Sequence, residues 1–222
     1  MPAQDQVHRS PLGLTVLWML AGGPLHPYAI QSRMKAWGKD QVVNVGQRAN
    51  LYKTIERLLA GGLITVSHID RTPGFPERTS YELTEEGWRH AISWLEHMLA
   101  HPRNEFPEFP AALSFIFGLT PAAARKALEQ RASALAERLE QLESELNDPK
   151  GPPRVFLLET EYLRAATVTE LDWLRAVIAD LKDRRLSWRH DEIKPLSESF
   201  APREATQEPA AGRRRSTRSR PL

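Results

Sequence analysis

The chain of 222 residues contains no cysteine. A disulfide framework, a thiolate metal site and a cysteine nucleophile are therefore excluded. Long apolar runs are lacking too, because the longest, residues 12–21, has about half of the roughly 20 residues that a membrane-spanning helix needs. The segment before it carries Asp5 and only one firm positive charge, Arg9, which does not fit a signal peptide. We therefore expect a cytoplasmic protein.

Catalytic motifs are lacking as well. The sequence has no glycine-rich phosphate loop and no convincing Ser/His/Asp order, so we expect that the protein is not an enzyme. His97 and His101 stand four residues apart, a spacing that can place two imidazoles on one metal ion. The residues between them lack the glutamate of a zinc protease helix, and a histidine just before Pro102 can instead interact with the helix dipole. We expect neither a metal nor a cofactor.

The N-terminal part of the chain contains three helical patterns followed by two strand patterns. Apolar residues at helical spacing predict the helices, and glycine or proline marks the breaks between them. These breaks lie at residues 22–24, at Gly38 and at residues 61–62. Alternating residues at 63–69 and 79–83 then predict the two strands of a β-hairpin.

A fourth helix should begin at Thr84, because a hydroxyl cap is followed there by Glu85 and Glu86 in the first turn. We expect this helix to end before Pro102. Three helices, a strand, a loop, a strand and a helix, in this order, are typical of a winged helix-turn-helix. The fold class that we predict is mainly α with a small β-hairpin.

The C-terminal part is predicted to be helical, with a short helix at 110–117 and a long helix at 121–146. After a break at residues 147–153, a second long helix is predicted to run to about residue 185. Leucines in the first long helix alternate at spacings of four and three, which is a heptad seam. The second long helix has so broad an apolar face that we expect a second copy of the chain to cover it. The residues assigned to this dimer contact are Leu128, Leu135, Leu139, Leu142, Leu157, Leu171, Leu174, Ile178 and Leu181.

These patterns divide the chain into four parts. Residues 1–10 form a flexible N-terminus, and 11–101 form a winged helix-turn-helix DNA-binding domain. Residues 102–189 form a helical, coiled-coil-like dimerisation domain. Residues 190–222 lose almost all aromatics and end in an arginine-rich run, which is typical of a disordered basic tail.

The N-terminal third resembles the PadR family of transcriptional regulators. The resemblance rests on GPLHPYAI at 23–30, NLYKTIERL at 50–58 and RTSYELTEEG at 78–87. Pro27 stands where the family commonly has glycine, which is compatible with a helix start. The remainder is similar to the subgroup with a long C-terminal dimerisation domain. The resemblance implies a homodimer that represses transcription and is released from operator DNA by a small effector.

The third helix is the candidate recognition helix, because an α-helix fits the major groove and presents its N-terminal residues to base edges. Arg48 could pair with guanine, and Gln47 or Asn50 with adenine. Tyr52 and Lys53 are better placed for phosphates. Each of these residues has a plainer alternative as a helix cap or a solvated side chain, and Tyr52 has one as a packed core aromatic.

Further basic residues flank this helix. From Gln31 to Arg78 the sequence has eight basic residues against four acidic ones. Arg71 and Arg78 on the wing should contact the DNA backbone or minor groove. Arg33 and Lys35 on the second helix should lie over flanking phosphates. A solvated charged surface remains the alternative for each.

Tryptophans suggest a site for a flat effector between the fourth helix and the dimer helices, although such residues are most often plain core. The four that we assign to it are Trp18, Trp88, Trp94 and Trp173. A competing class of function is a helical protein-interaction or scaffold module whose winged helix does not bind DNA. A basic third helix followed by a basic wing argues against it, because a scaffold needs no such coincidence.

Overall fold

The computed structural model describes residues 7–44, 48–70 and 77–189. Gln47, Arg71, the first six residues and the predicted basic tail lie outside these ranges. The chain divides into two compact units, Met1–Glu105 and Phe106–Leu222, which we call the N-terminal and C-terminal units. Within the described ranges, no helix combines the length and the hydropathy that a membrane span requires.

The N-terminal unit follows the predicted order of helices and strands. Its elements are α1 (Pro11–Leu20), α2 (Pro27–Ala36), α3 (Arg48–Ala60), β1 (Ile64–Asp70), β2 (Arg78–Leu83) and α4 (Glu85–Ala100), with a 3-10 turn (Lys39–Gln41) between α2 and α3. The predicted fold class, mainly α with a small hairpin, is therefore confirmed.

Capping side chains explain where three of these helices begin. Oγ of Ser10 and Oγ1 of Thr84 each accept a bond from the backbone N–H three residues further on, at 3.0 and 2.9 Å. Nδ1 of His26 does the same for α2 at 3.1 Å. Pro11 and Pro27 follow two of these caps, at a position whose N–H has no partner within the helix. The starts of α1, α2 and α4 are thus determined locally.

One hydrophobic core joins the four helices to the hairpin. The buried side chains include Val16, Leu17, Leu20, Ile30, Met34, Leu51, Ile55, Leu58, Leu63, Ile64 and Trp94. Val7 packs against this core, and Ser10 caps α1. Ordered packing therefore begins before residue 11, whereas we predicted a flexible segment up to residue 10.

The hairpin is antiparallel, from Ile64 opposite Leu83 to Asp70 opposite Arg78, with a register shift between Val66 and His68. Its second strand also pairs with the connection between α1 and α2. Leu25 and Tyr81 exchange two backbone hydrogen bonds, of 3.0 and 2.9 Å. The wing is thereby attached to the segment that leads into α2, a contact that periodicity did not indicate.

The C-terminal unit contains three helices among its described residues. They are α5 (Glu108–Leu113), α6 (Pro121–Leu146) and α7 (Leu158–Lys182), with 3-10 turns at Ile116–Gly118 and Arg154–Phe156. The short helix predicted at 110–117 starts two residues earlier and ends at Leu113. Its continuation is broken at Phe115, whose φ of −123° lies outside the helical range.

The two long helices form an antiparallel hairpin. Glu129, early in α6, pairs with Lys182 at the end of α7 at 3.6 Å. Glu143, late in α6, pairs with Arg164 near the start of α7 at 2.7 Å. These two ion pairs show that the chain turns back on itself after α6.

This hairpin changes the interpretation of the leucine pattern. Six of the nine predicted dimer residues are buried within one chain, namely Leu128, Leu142, Leu171, Leu174, Ile178 and Leu181. Leu135, Leu139 and Leu157 are half-buried. Apolar spacing selects a helical partner but does not tell whether that partner belongs to the same chain. The burial of the six residues therefore needs no second copy, and the dimer stays a prediction.

Candidate nucleic-acid interface

The third helix has one buried face and one exposed face. Leu51, Thr54, Ile55 and Leu58 are buried in the core of the N-terminal unit. Because these residues recur at spacings of three and four, the rest of the helix surface is left outside the core. The core therefore determines which residues α3 presents outward.

The predicted DNA-binding residues of α3 lie on its exposed face. Arg48, Asn50 and Lys53 are exposed, and Tyr52 is 50% exposed. Tyr52 is therefore not the packed core aromatic that its alternative interpretation required. Two cations, an amide and a phenol on one helix face are donors that can contact phosphates and base edges.

The same face also carries an acidic residue that the sequence analysis did not single out. Glu56 is exposed and stands one turn after Tyr52 and Lys53. Burial raises the pKa of Tyr81, and the Glu56 carboxylate and Tyr52 raise it further. The spacing of three and four from Lys53 and Tyr52 would have been sufficient to find Glu56 from the sequence.

On the second helix, Arg33 and Lys35 have different surroundings. Nη1 of Arg33 donates to the carbonyl oxygen of Met19 at 3.4 Å, and its guanidinium lies 5.7 Å from the centre of the Trp37 ring. A cation at the carboxyl end of a helix is stabilised by the helix dipole. Arg33 thus already has a structural role at the end of α1, whereas Lys35 is exposed.

The described part of the wing contains one of its two predicted DNA contacts. Arg78 is exposed at the first position of β2, opposite Asp70 of β1. His68 lies 3.6 Å from Asp70 on the same strand. The wing therefore presents charges of both signs where Asp70 and Arg78 pair. Arg71, the second predicted contact, lies outside the described residues.

Comparisons with known proteins match this architecture. No model of a protein family and no curated protein sequence matches the chain. Bacillus subtilis PadR in complex with operator DNA has a TM-score of 0.62 and 21% identity, over 78% of this chain and 99% of that chain. The same protein in complex with p-coumaric acid has a TM-score of 0.60 and 21% identity, over 77% of this chain and 98% of that chain. The virulence activator AphA of Vibrio cholerae has a TM-score of 0.55 and 17% identity, over 78% of this chain and 99% of that chain.

The fold is that of the PadR regulators. The match extends over most of this chain and nearly the whole of each of these neighbours, so both units contribute to it. PadR of Bacillus subtilis is described as a transcriptional regulator and BC1756 of Bacillus cereus as a PadR-like transcriptional regulator, in agreement with the resemblance found in the sequence.

Three of the four predicted effector residues belong to the N-terminal unit and one belongs to the C-terminal unit. Trp18 and Trp88 meet edge to face, with ring centres 5.3 Å apart, and are 36% and 44% exposed. Trp94 is a core residue of the same unit. Trp173 belongs to the C-terminal unit, where it contacts the edge of Phe109 at 6.1 Å. The effector site stays a prediction, for which Trp94 is the least accessible member.

Two other features of the molecule are not part of this interface. An open cavity of about 1040 Å³ at the end of α6 is lined by acidic residues such as Glu137 and Asp148 together with uncharged polar residues, a glycine and two prolines. The rings of His97 and His101 stack with centres 4.2 Å apart. Among the described residues, no group of three or more potential ligand side chains could hold a metal ion.

Proposed function

We propose that the protein is a sequence-specific, DNA-binding transcriptional regulator of the PadR family. The observation that carries the proposal is the exposed face of α3, with Arg48, Asn50, Tyr52 and Lys53, in a winged-helix fold. PadR, which shares this fold, has been solved with operator DNA. A cytoplasmic location follows from this activity, because the DNA that such a regulator binds is inside the cell.

In the proposed complex, α3 enters the major groove with its N-terminal end toward the base edges. Arg48 reads guanine through its two parallel donors, and Asn50 reads adenine, a role that Gln47 could share. Lys53 and Tyr52 contact phosphates, which hold the helix in register without reading sequence. Lys35 and Arg78 add flanking backbone contacts, and Arg71 would act with them on the wing.

We further propose that the regulator is a homodimer acting as a repressor that a small effector releases. A dimer would bring two α3 helices to half-sites about 34 Å apart and would select a palindromic operator. The complex of PadR with p-coumaric acid supports an effector of the small aromatic type. Binding of p-coumaric acid to the present chain can be measured by calorimetry, and its effect on the DNA complex by titration.

The decisive experiment is a gel shift with the DNA upstream of this protein's own gene. We expect tight, sequence-selective binding by the wild type and loss of at least a hundredfold in affinity in Arg48→Ala/Lys53→Ala, because one guanine contact and one phosphate contact are removed. Arg125→Ala/Lys126→Ala in α6 is the matched control, since it removes the same charges from the C-terminal unit. Circular dichroism would establish that both variants fold.

Two outcomes would contradict the proposal. Equal losses in the variant and in the control would mean that general positive charge, and not α3, binds the DNA. Failure of the wild type on the upstream DNA and then on a randomised DNA pool would exclude sequence-specific binding. The protein would then be better explained as a helical protein-interaction module.

A further inference from the structure

The residues before the first helix lie against the end of the candidate recognition helix. Gly61 comes directly after α3, and a Cβ added to it would lie 2.1 Å from Cγ2 of Val7. The Val7 side chain therefore occupies the space that a side chain at position 61 would need. Val7 also packs against the hydrophobic core of the N-terminal unit. One branched apolar side chain thus closes the C-terminal end of α3.

The same segment is held at its other end by α1 and α4. Oγ of Ser10 accepts a hydrogen bond of 3.0 Å from the backbone N–H of Gly13. A Cβ added to Gly13 would lie 2.9 Å from this oxygen and 3.1 Å from the ring of Trp94. The segment, α1 and α4 are therefore closely packed at this point. We call residues 7–10 the strap, because they connect the end of α3 to the start of α1 beside α4.

Several ionisable groups surround the point where the strap passes the last turns of α4. The strap carries His8 and Arg9, and α4 carries Glu96 and His101 within about one turn of His97. The pKa of His97 is lowered by desolvation, by Arg9 and by His101. The helix α1, which also packs against α4, contains no ionisable side chain. A positive charge on His97 would therefore be opposed by a cation of the strap.

We propose that the strap positions the recognition helix, and that a positive charge on His97 loosens the strap. The proposal rests on the DNA-binding function proposed above and adds a way to regulate it. Because α3 is a rigid helix about 20 Å long, a shift at its C-terminal end also moves the N-terminal residues that would contact base edges. The hydrogen bonds to those edges need donor and acceptor atoms within about 3.2 Å of each other. A loosened strap would therefore weaken sequence-specific binding.

The direction of the pH dependence follows from these charges. With the strap in place, Arg9 disfavours the protonated form of His97. When the strap is released, the pKa of His97 returns toward its ordinary value of about 6.5 and the ring binds a proton more readily. The released state thus binds more protons than the strapped state, and its population rises as the pH falls below about 6.5. Above this pH, the charge on His97 no longer favours release.

The methyl groups of Val7 report the contact with the end of α3 directly. In an NMR titration with labelled valine methyls, the Val7 signals, assigned by their loss in Val7→Ala, should move with the same midpoint as the His97 ring. They should stay unchanged in His97→Gln between pH 7.5 and pH 5.5. His90→Gln is the matched control, because His90 lies on the same helix and pairs instead with Glu86, at 3.0 Å. Val7 signals that do not follow the titration of His97 would overturn the proposal.

The affinity for the upstream DNA, measured at the same two pH values, tests the effect on α3. Other histidines also gain charge at low pH, so the quantity compared between proteins is the ratio of the affinity at pH 5.5 to that at pH 7.5. We expect this ratio to be roughly two- to fivefold higher in His97→Gln and in Arg9→Gln than in the wild type and in His90→Gln, which is the size of one exposed charge interaction. Gly61→Ala, which displaces Val7, should weaken binding at pH 7.5, and His97→Gln should have no further effect in that background. Circular dichroism would establish that each variant folds.

The outcomes separate this proposal from the proposed function. A wild type that binds DNA with the same ratio of affinities as His97→Gln would show that the strap does not position α3, and only the proposal would fail. Equal changes of the ratio in His97→Gln and His90→Gln would assign the effect to the charge of α4 as a whole and would also overturn it. A wild type that binds no DNA at either pH would contradict the proposed function and the positioning role together, whereas the Val7 titration would still show whether His97 loosens the strap.

Discussion

At the scale of single residues, the acidic group on α3 makes the sharpest prediction about DNA binding. Glu56 shares the exposed face with Tyr52 and Lys53, so its carboxylate would repel nearby phosphates. We expect Glu56→Gln to bind random-sequence DNA roughly three to ten times more tightly at fixed low salt. The same change should lower the pKa of Tyr81, because one of the charges that raise it is removed.

Fluorescence anisotropy would measure the affinity, and phenolate absorbance at alkaline pH would measure the titration of Tyr81. Glu137→Gln on α6 is the control, because it removes an exposed carboxylate from the C-terminal unit. Equal tightening in both variants would assign the effect to net charge and not to the position of Glu56.

The stacked histidines at the end of α4 predict a dependence on pH. The pKa of His97 is lowered by desolvation, by Arg9 and by His101. The unfolded chain therefore binds more protons than the folded one below about pH 6.5, and the contribution of His97 to stability falls as the pH drops through this range. We expect Arg9→Gln and His101→Gln each to raise the pKa of His97.

An NMR titration of the His97 ring would measure these shifts. The stability of each variant should also fall less steeply between pH 7 and pH 5 than that of the wild type, as measured by denaturant unfolding. An unchanged His97 titration in both variants would mean that desolvation alone lowers its pKa.

At the scale of elements, the attachment of α4 to the hairpin depends on a glycine. A Cβ added at Gly87 would lie 1.9 Å from the carbonyl oxygen of Leu63. This oxygen is a backbone atom, so no side-chain rotation can relieve the clash. We expect Gly87→Ala to destabilise the N-terminal unit by about 1–3 kcal/mol, because such crowding forces α4 away from the strand. Gly118→Ala is the control, since the space around Gly118 is open.

Urea unfolding of the two variants would give the difference in the free energy of unfolding. A loss in Gly87→Ala no larger than that in Gly118→Ala would show that α4 can shift without cost. Oγ1 of Thr84 donates a hydrogen bond of 2.8 Å to the carbonyl oxygen of Gly62, which indicates that the wing is firmly attached. Such a result would show that this attachment is weaker than the bond indicates.

At the scale of the whole molecule, we propose that the two units are separate folding domains. The chain divides between Glu105 and Phe106, and the sequence predicts a domain boundary at residues 101–102. The segment 102–107 is exposed and is neither helix nor strand. Limited trypsin digestion should therefore cut after Arg103 and release two fragments that resist further cleavage at their helices.

Mass spectrometry would identify the fragments, and Arg103→Gln should remove this cut while leaving cuts at other exposed basic residues unchanged. Rapid loss of one fragment after the cut would mean that its unit depends on the other for stability. The proposed division into two domains would then be wrong.

Much of the architecture was already contained in local sequence signals. Thr84 and Thr120 cap the helices that were predicted to begin after them. Gly62, which follows the end of α3, has the left-handed backbone conformation, with a φ of +71°, that favours glycine after a helix. The exposed positions of Arg48 and Lys53 followed from the apolar spacing of α3. Such features depend on neighbours within a turn of helix, which the sequence displays directly.

Contacts between distant segments were decided only by the tertiary structure. The leucines of α6 could have met a second chain, but α7 folds back after α6, and Leu128 and Leu142 are buried within the one chain. Arg33 is predicted to contact phosphate, and the structure adds a contact that spacing did not indicate, with the carbonyl oxygen of Met19, a residue of another helix. Sequence spacing determines which face of a helix is apolar or charged, because that depends on the helix alone. It does not determine what meets that face, because this depends on the path of the rest of the chain.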